Sequence, residues 1–195
     1  MKKIISAIAI MILSVASLSH ADQSLQLDAA KGEVEFAAKG PLVRVNGKGK
    51  GAQGELKVVD GKASGNLILN LASLDTGIPL RDDHMKNKYL HVTKFPKATL
   101  KLKDVVMPKN LKGKVKFKGV LSLHGVEKAV SGVAKVKGVK KGKVQITADF
   151  KIKFSDFNIE LPSFKLVSVG EDIKIKVKST ATVKEVVAKS KTASL

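Results

Sequence analysis

Apolar and polar residues alternate along most of this chain. In KVKFKGVLSLHG, Val115, Phe117, Gly119, Leu121 and Leu123 fall on one face, with Lys114, Lys116, Lys118 and Ser122 on the other. In KVQITADFKIKFSD, Val144, Ile146, Ala148, Phe150, Ile152 and Phe154 alternate with Lys143, Gln145, Thr147, Asp149, Lys151 and Lys153. DIKIKVKSTATVKE repeats the pattern with Ile173, Ile175, Val177, Ala181 and Val183, NLILNL adds Leu67, Leu69 and Leu71, and ATLKLKD adds Leu100 and Leu102. A period of two marks strands with one buried and one wet face. It predicts strands near residues 33–37, 41–48, 54–60, 63–74, 97–106, 113–124, 129–137, 143–155 and 171–184, about eight once one early segment is set aside.

Turn signals at Asp60-Gly61, Asn110 to Gly113 and Gly138 to Gly142 join neighbouring strands by short connections, which implies antiparallel pairing. Many strands of this kind make a sandwich or a closed barrel. Several runs exceed ten residues, and strand tilt in a barrel lengthens each strand. The expected fold is therefore an all-β, antiparallel barrel of about eight strands.

Two stretches break the alternation. TGIPLRDDHMKNKYL, from Thr76 to Leu90, holds one of the chain's two arginines, adjacent aspartates, a histidine and the only tyrosine. Pro79 suits a first helical turn, and the pairs Leu80/His84 and Met85/Tyr89 are four apart. SDFNIELPSFKLVSVGED carries Phe157, Ile159, Leu161 and Phe164 around Pro162. Both are predicted to be short helical or irregular segments at a barrel end.

The ends change the picture of where the protein works. Lys2 and Lys3 precede an apolar run from Ile4 to Val15, and Ser19-His20-Ala21 puts small side chains at −3 and −1 of a cut. The run is short for a bilayer of about 30 Å. Residues 1–21 are expected to be a signal peptide cleaved near Ala21, residues 22–188 one barrel domain, and residues 189–195 a flexible tail, with the product in a bacterial periplasm. There are no cysteines, so thiol chemistry and Cys-ligated metals are excluded.

Of 36 Lys and Arg, two lie in the leader, leaving 34 against 17 Asp and Glu, a net +17. Nucleic acid is the usual partner of such a charge. Yet only Arg44 and Arg81 are arginines, there is no Trp and one Tyr. Bidentate phosphate or base reading and base stacking are thus poorly served. The lysines read as a solvated outer surface, with transient attraction to anionic membrane surfaces as the other reading.

Chemistry is sparse. After the leader there are three histidines, His84, His91 and His124, and no His-Glu-x-x-His spacing, nucleophile elbow or Gly-rich phosphate loop. No catalytic residue and no metal site is expected. An eight-stranded barrel has an interior that side chains fill or that holds one small ligand. From spacing alone, the inward Phe and Leu residues fit either outcome.

LDTGIPLRDDHMKNKYLHVTKFPKATL followed by GVLSLHGVEKAV resembles the YceI-like family of bacterial exported proteins. The likeness rests on Thr76-Gly77, Arg81-Asp82-x-His84, Lys94-Phe95-Pro96, Leu121 to Lys128, and SDFNIELPSF from Ser155 to Phe164. It implies an extended lipocalin-like barrel with a helical segment at its mouth, and a long hydrophobic channel for a polyisoprenoid or quinone-type amphiphile. It implies no catalytic residues. The Gly- and Lys-rich GPLVRVNGKGKGAQGE and Lys165 depart from the family pattern, a difference that bears on either the entrance or the length of the channel.

The candidate channel lining is Leu67, Leu69, Leu71, Phe95, Leu100, Leu102, Phe117, Leu121, Leu123, Phe150, Ile152, Phe154, Phe157 and Phe164. Arg81, Asp82, His84 and His124 are expected to form a polar latch at one end of the channel, or to contact a ligand head group. No cofactor is expected beyond a bound isoprenoid or quinone-type lipid, and a dimer is one option for the assembly. Two other readings stand beside the binding protein. One is a cationic envelope-interaction module with a side-chain-filled barrel; the other is a hydrolase or metalloprotein built on Arg81, Asp82, His84 and His124.

Overall fold

The computed structural model describes residues 22–160, 163–164 and 167–185. Residues 1–21, expected to be a signal peptide, Leu161, Pro162, Lys165 and residues 189–195, expected to be a tail, lie outside the described residues, as does the side chain of Phe164. Twelve strands run in chain order: β1 (Gln23–Leu27), β2 (Glu33–Lys39), β3 (Arg44–Lys50), β4 (Gln53–Val59), β5 (Lys62–Asn70), β6 (Lys97–Val106), β7 (Lys112–Leu123), β8 (Val126–Lys140), β9 (Lys143–Lys153), β10 (Ser163–Phe164), β11 (Val167–Ser168) and β12 (Asp172–Glu185). One helix, α1 (Pro79–Asp83), runs into a wider π-helical turn at His84–Tyr89.

The strands form a closed antiparallel barrel of eight positions. β4 to β9 follow one another, β9 pairs with β12, and β1 closes the ring between β12 and β4. β1 and β2 act as one wall strand bent at the turn Ala29–Lys31, because both pair with β12. β3 and β4 are likewise one strand bent at Gly51-Ala52, since β3 pairs with β2 and β4 with β1. The two bends coincide: the N–H groups of Gly51 and Ala52 both donate to the Gly32 carbonyl, at 2.9 and 3.3 Å. Gly32 is required there, because a Cβ on it would lie 1.8 Å from the Ala52 carbonyl oxygen.

Asp60-Gly61, His124-Gly125 and Lys141-Gly142 have positive φ at both residues. This is the type I′ geometry whose twist matches a two-residue hairpin. The strand expected at 63–74 ends at Asn70, whose side chain accepts the Ala72 N–H at 3.0 Å and starts the turn Leu71–Ser73. The strand expected at 129–137 runs longer, from Val126 to Lys140, because the hairpin at His124-Gly125 pairs Leu123 with Val126. β1 has no counterpart among the strands read from the pattern.

The two ends of the barrel differ. The lower end carries Asp60-Gly61, residues 107–111 and Lys141-Gly142. The interior above it is packed by buried Leu25, Leu56, Ala63, Val105, Val115, Phe117, Val136, Val144 and Ala181. The upper end carries the β2–β3 turn, residues 71–96, His124-Gly125, residues 154–160 and residues 169–171. There β8 and β9 stop pairing above Gly132 and Phe150. The turn Ser155–Phe157 packs against both strands at this gap and buries Phe157 to 1% exposure.

Candidate functional site

The upper half of the barrel is hollow. It encloses about 580 Å³, within the roughly 300–1,000 Å³ typical of small-molecule sites. The same alternation that builds the strands aims the lining inward. β5 and the turn after it supply Leu67, Leu69 and Leu71, and β6 supplies Ala98 and Leu100. β7 supplies Leu121 and Leu123, and β9 supplies Phe150 and Ile152, followed by Phe154. β12 adds Ile173, Ile175 and Val177, and the β2–β3 hairpin adds Val34, Phe36, Ala38 and Val45. The roof is the helical segment, with Leu80, Met85, Tyr89 and buried Leu90.

Nine of the expected lining residues therefore meet in one cavity: Leu67, Leu69, Leu71, Leu100, Leu121, Leu123, Phe150, Ile152 and Phe154. Four others sit elsewhere for identifiable reasons. Phe117 is buried beside the floor, its ring edge-on to Phe150 at 6.1 Å. Leu102 packs into the core where Gly119 leaves room for it. Phe95 lies half-buried against the His124 ring at 4.9 Å, in space a side chain at Gly125 would occupy. Phe157 closes the gap between β8 and β9. The hairpin and β12 linings escaped the sequence reading of the site, although Ile173, Ile175 and Val177 share one face of an alternating run.

Few polar residues border the cavity: Thr76, Arg81, His84, Lys88 and Tyr89. Asp82 accepts the Thr76 N–H at 2.8 Å and the Thr76 hydroxyl at 2.6 Å. Arg81 donates through Nε to the Thr76 hydroxyl oxygen at 2.8 Å and through Nη2 to the Thr76 carbonyl at 2.9 Å. Burial is the largest single influence on the Asp82 carboxyl and pushes it up. The two Thr76 bonds, with Asp75 and Lys86, outweigh that and hold it below the usual carboxylate range. The neighbouring Asp75 exchanges two backbone hydrogen bonds with Lys48 of β3, both 2.8 Å, which fastens the start of the roof to the wall.

His124 does not join this cluster. It occupies a positive-φ turn position, and its Nδ1 lies 3.0 Å from the Phe157 carbonyl. A carbonyl only accepts, so that nitrogen carries the proton. Its Nε2 then accepts from His91 Nδ1 at 2.8 Å, with the two rings stacked at 5.1 Å. His84 stays exposed at the cavity's edge. Among the described residues, no three His, Cys, Asp or Glu side chains converge as metal ligands would.

Comparison with known proteins gives the fold its context. A family model described as the YceI-like domain matches residues 25–181. UPF0312 proteins of Yersinia enterocolitica and Yersinia pestis are each 36% identical over 100 residues, which is 48% of this chain and 50% of theirs. The chain thus covers about half the length of these curated relatives. Burkholderia cenocepacia BcnA superposes with a TM-score of 0.68 at 24% identity, over 80% of this chain and 99% of that one. A polyisoprenoid binding domain from Saccharophagus degradans, implicated in plant cell wall breakdown, gives 0.67 at 16% identity, over 82% and 98%. The Campylobacter jejuni YCEI protein gives 0.61 at 24%, over 75% and 90%. At these identities the likeness is one of fold.

Proposed function

Because this chain belongs to the YceI-like family, we propose that it is a binding protein that holds the apolar chain of an isoprenoid lipid or quinone-type amphiphile in its upper cavity. One observation carries the reading. A barrel packed solid below keeps about 580 Å³ open above, lined almost wholly by aliphatic and aromatic side chains. An apolar space of this kind forfeits dispersion contacts and offers water no partners, so it favours an apolar occupant. The polyisoprenoid binding domain of Saccharophagus degradans shares this fold, which supports the ligand class.

Binding follows from area. Each buried methylene is worth roughly 0.8 kcal/mol, so twenty carbons offer on the order of 15 kcal/mol. Association and chain ordering consume a large part of it. A cavity that grips by area accepts related tails, while His84, Lys88 and Tyr89 meet the polar head at the mouth and Arg81 stays bonded to Thr76. The lysines and apolar run read in residues 1–21 support a periplasmic site of action for this carrier. No chemical step is required of the site.

The test is direct. Protein purified from cells and extracted with organic solvent is expected to release a prenyl lipid in near-stoichiometric amount by mass spectrometry. Native mass spectra showing only ligand-free protein, which also takes up no added prenyl quinone, would overturn the proposal.

A further inference from the structure

The mouth of the cavity is bordered by three of the exposed large apolar side chains among the described residues, including Leu42, the most exposed of them. Leu42 is 79% exposed, Leu80 67% and Ile78 49%. Ile78, Leu80 and Val43 also line the cavity, so the apolar rim and the apolar interior are one continuous surface. Leu42 is not left outside by slack in the chain. It sits in the tight turn between β2 and β3, closed by the Gly40 N–H donating to the Val43 carbonyl at 2.8 Å.

Cations stand around this rim. Lys39 and Arg44 face each other in register at the base of the turn, and Lys86 and Lys88 lie on the roof. Residues 39–44 and 78–88 together hold five cations (Lys39, Arg44, Arg81, Lys86, Lys88) against Asp82 and Asp83, a net +3. Asp82 is already engaged by Thr76. An apolar tip on a cationic base is the chemistry of a bilayer interface: the tip enters the acyl boundary and the base meets anionic head groups.

We infer that this rim docks on an anionic lipid bilayer and that the ligand passes between bilayer and cavity there. The inference rests on the lipid-binding reading, since a long prenyl chain resides in a bilayer and must be drawn from one. It adds a defined contact surface, Leu42, Ile78 and Leu80 with Lys39, Arg44, Lys86 and Lys88, to a cavity that could otherwise be loaded from any direction.

The experiment is co-sedimentation with vesicles of phosphatidylcholine, with and without about one third phosphatidylglycerol. In parallel, prenyl quinone uptake from detergent micelles is measured on every variant. Binding is expected on the anionic vesicles and should fall as salt rises. Lys39→Gln with Arg44→Gln should weaken it about 25-fold, at about fivefold per cation. Leu42→Ser, which touches no cavity atom, should weaken it about tenfold. Both variants should take up quinone from micelles as the parent does. Lys114→Gln with Lys116→Gln, on the distant β7 wall, should change vesicle binding less than twofold.

Equal losses from the β7 pair would overturn the rim in favour of diffuse charge. Vesicle binding unaffected by Leu42→Ser would overturn it too. So would a dimer in sedimentation that Leu42→Ser dissociates, since the rim would then be covered by a second copy. Failure of micelle uptake by the parent protein would instead strike the lipid-binding reading itself.

Discussion

Thr76, Arg81 and Asp82 form a closed local circuit: the Thr76 hydroxyl donates a hydrogen bond to Asp82 and accepts one from Arg81. Its work is to hold the roof's first turn above the cavity. Because the folded Asp82 carboxyl is held below its ordinary value, its contribution is present above about pH 4 and is lost as pH falls through the folded value. Asp82→Asn is expected to cost about 1 kcal/mol at pH 7, the net worth of such bonds at a half-exposed site. It should also flatten the acid limb of stability below pH 4, as read by melting temperature against pH. Arg81→Ala should cost a similar amount while quinone uptake changes little. A cluster of Arg, Asp and His reads as chemistry in one dimension; here Arg81 and Asp82 bond to Thr76, and His124 is engaged by His91 and the Phe157 carbonyl.

At the scale of elements, the barrel closes because two wall strands bend at one place. β1/β2 and β3/β4 turn together where Gly32 meets Ala52 backbone to backbone. A methyl there has only main chain to displace, unlike overpacking against a side chain that can rotate. Gly32→Ala should therefore cost at least about 3 kcal/mol, a fall of roughly 6–12 °C in melting temperature, against about 1–2 kcal/mol from Gly142→Ala, where the added Cβ meets no atom and only the positive φ opposes it. β6, β7, β9 and β12 were legible from alternation because each has one wet and one dry face over ten or more residues. β1 was not, because it is five residues long and its pairing is with β4 and β12, far along the chain. The bends were hidden for the same reason: a bend is defined by the partner across it.

Across the whole molecule, one face of every barrel strand points inward, yet it is the upper half that is hollow. Phe117 and Phe150 touch at the division between halves. Phe117→Ala is expected to cost about 3–5 kcal/mol by opening a void in the packed half. Ala98→Trp, on the cavity wall, should abolish quinone uptake while shifting the melting temperature by only a few degrees, because it fills space that the fold leaves empty. A barrel packed throughout would show destabilisation by Ala98→Trp instead. The alternation of Lys with Val, Ile, Leu and Phe determined by itself that this chain makes antiparallel strands with one buried face, since side-chain direction is a local property of an extended backbone. It also placed the helical interruption at Thr76 to Leu90 and pointed nine lining residues inward. Whether the inward set fills the barrel or leaves a cavity was decided only by the tertiary structure. Empty volume is the barrel's interior minus its side chains. That interior is set by strand number and stagger, through pairings such as Leu25 with Leu56 and Val183 that no local pattern contains.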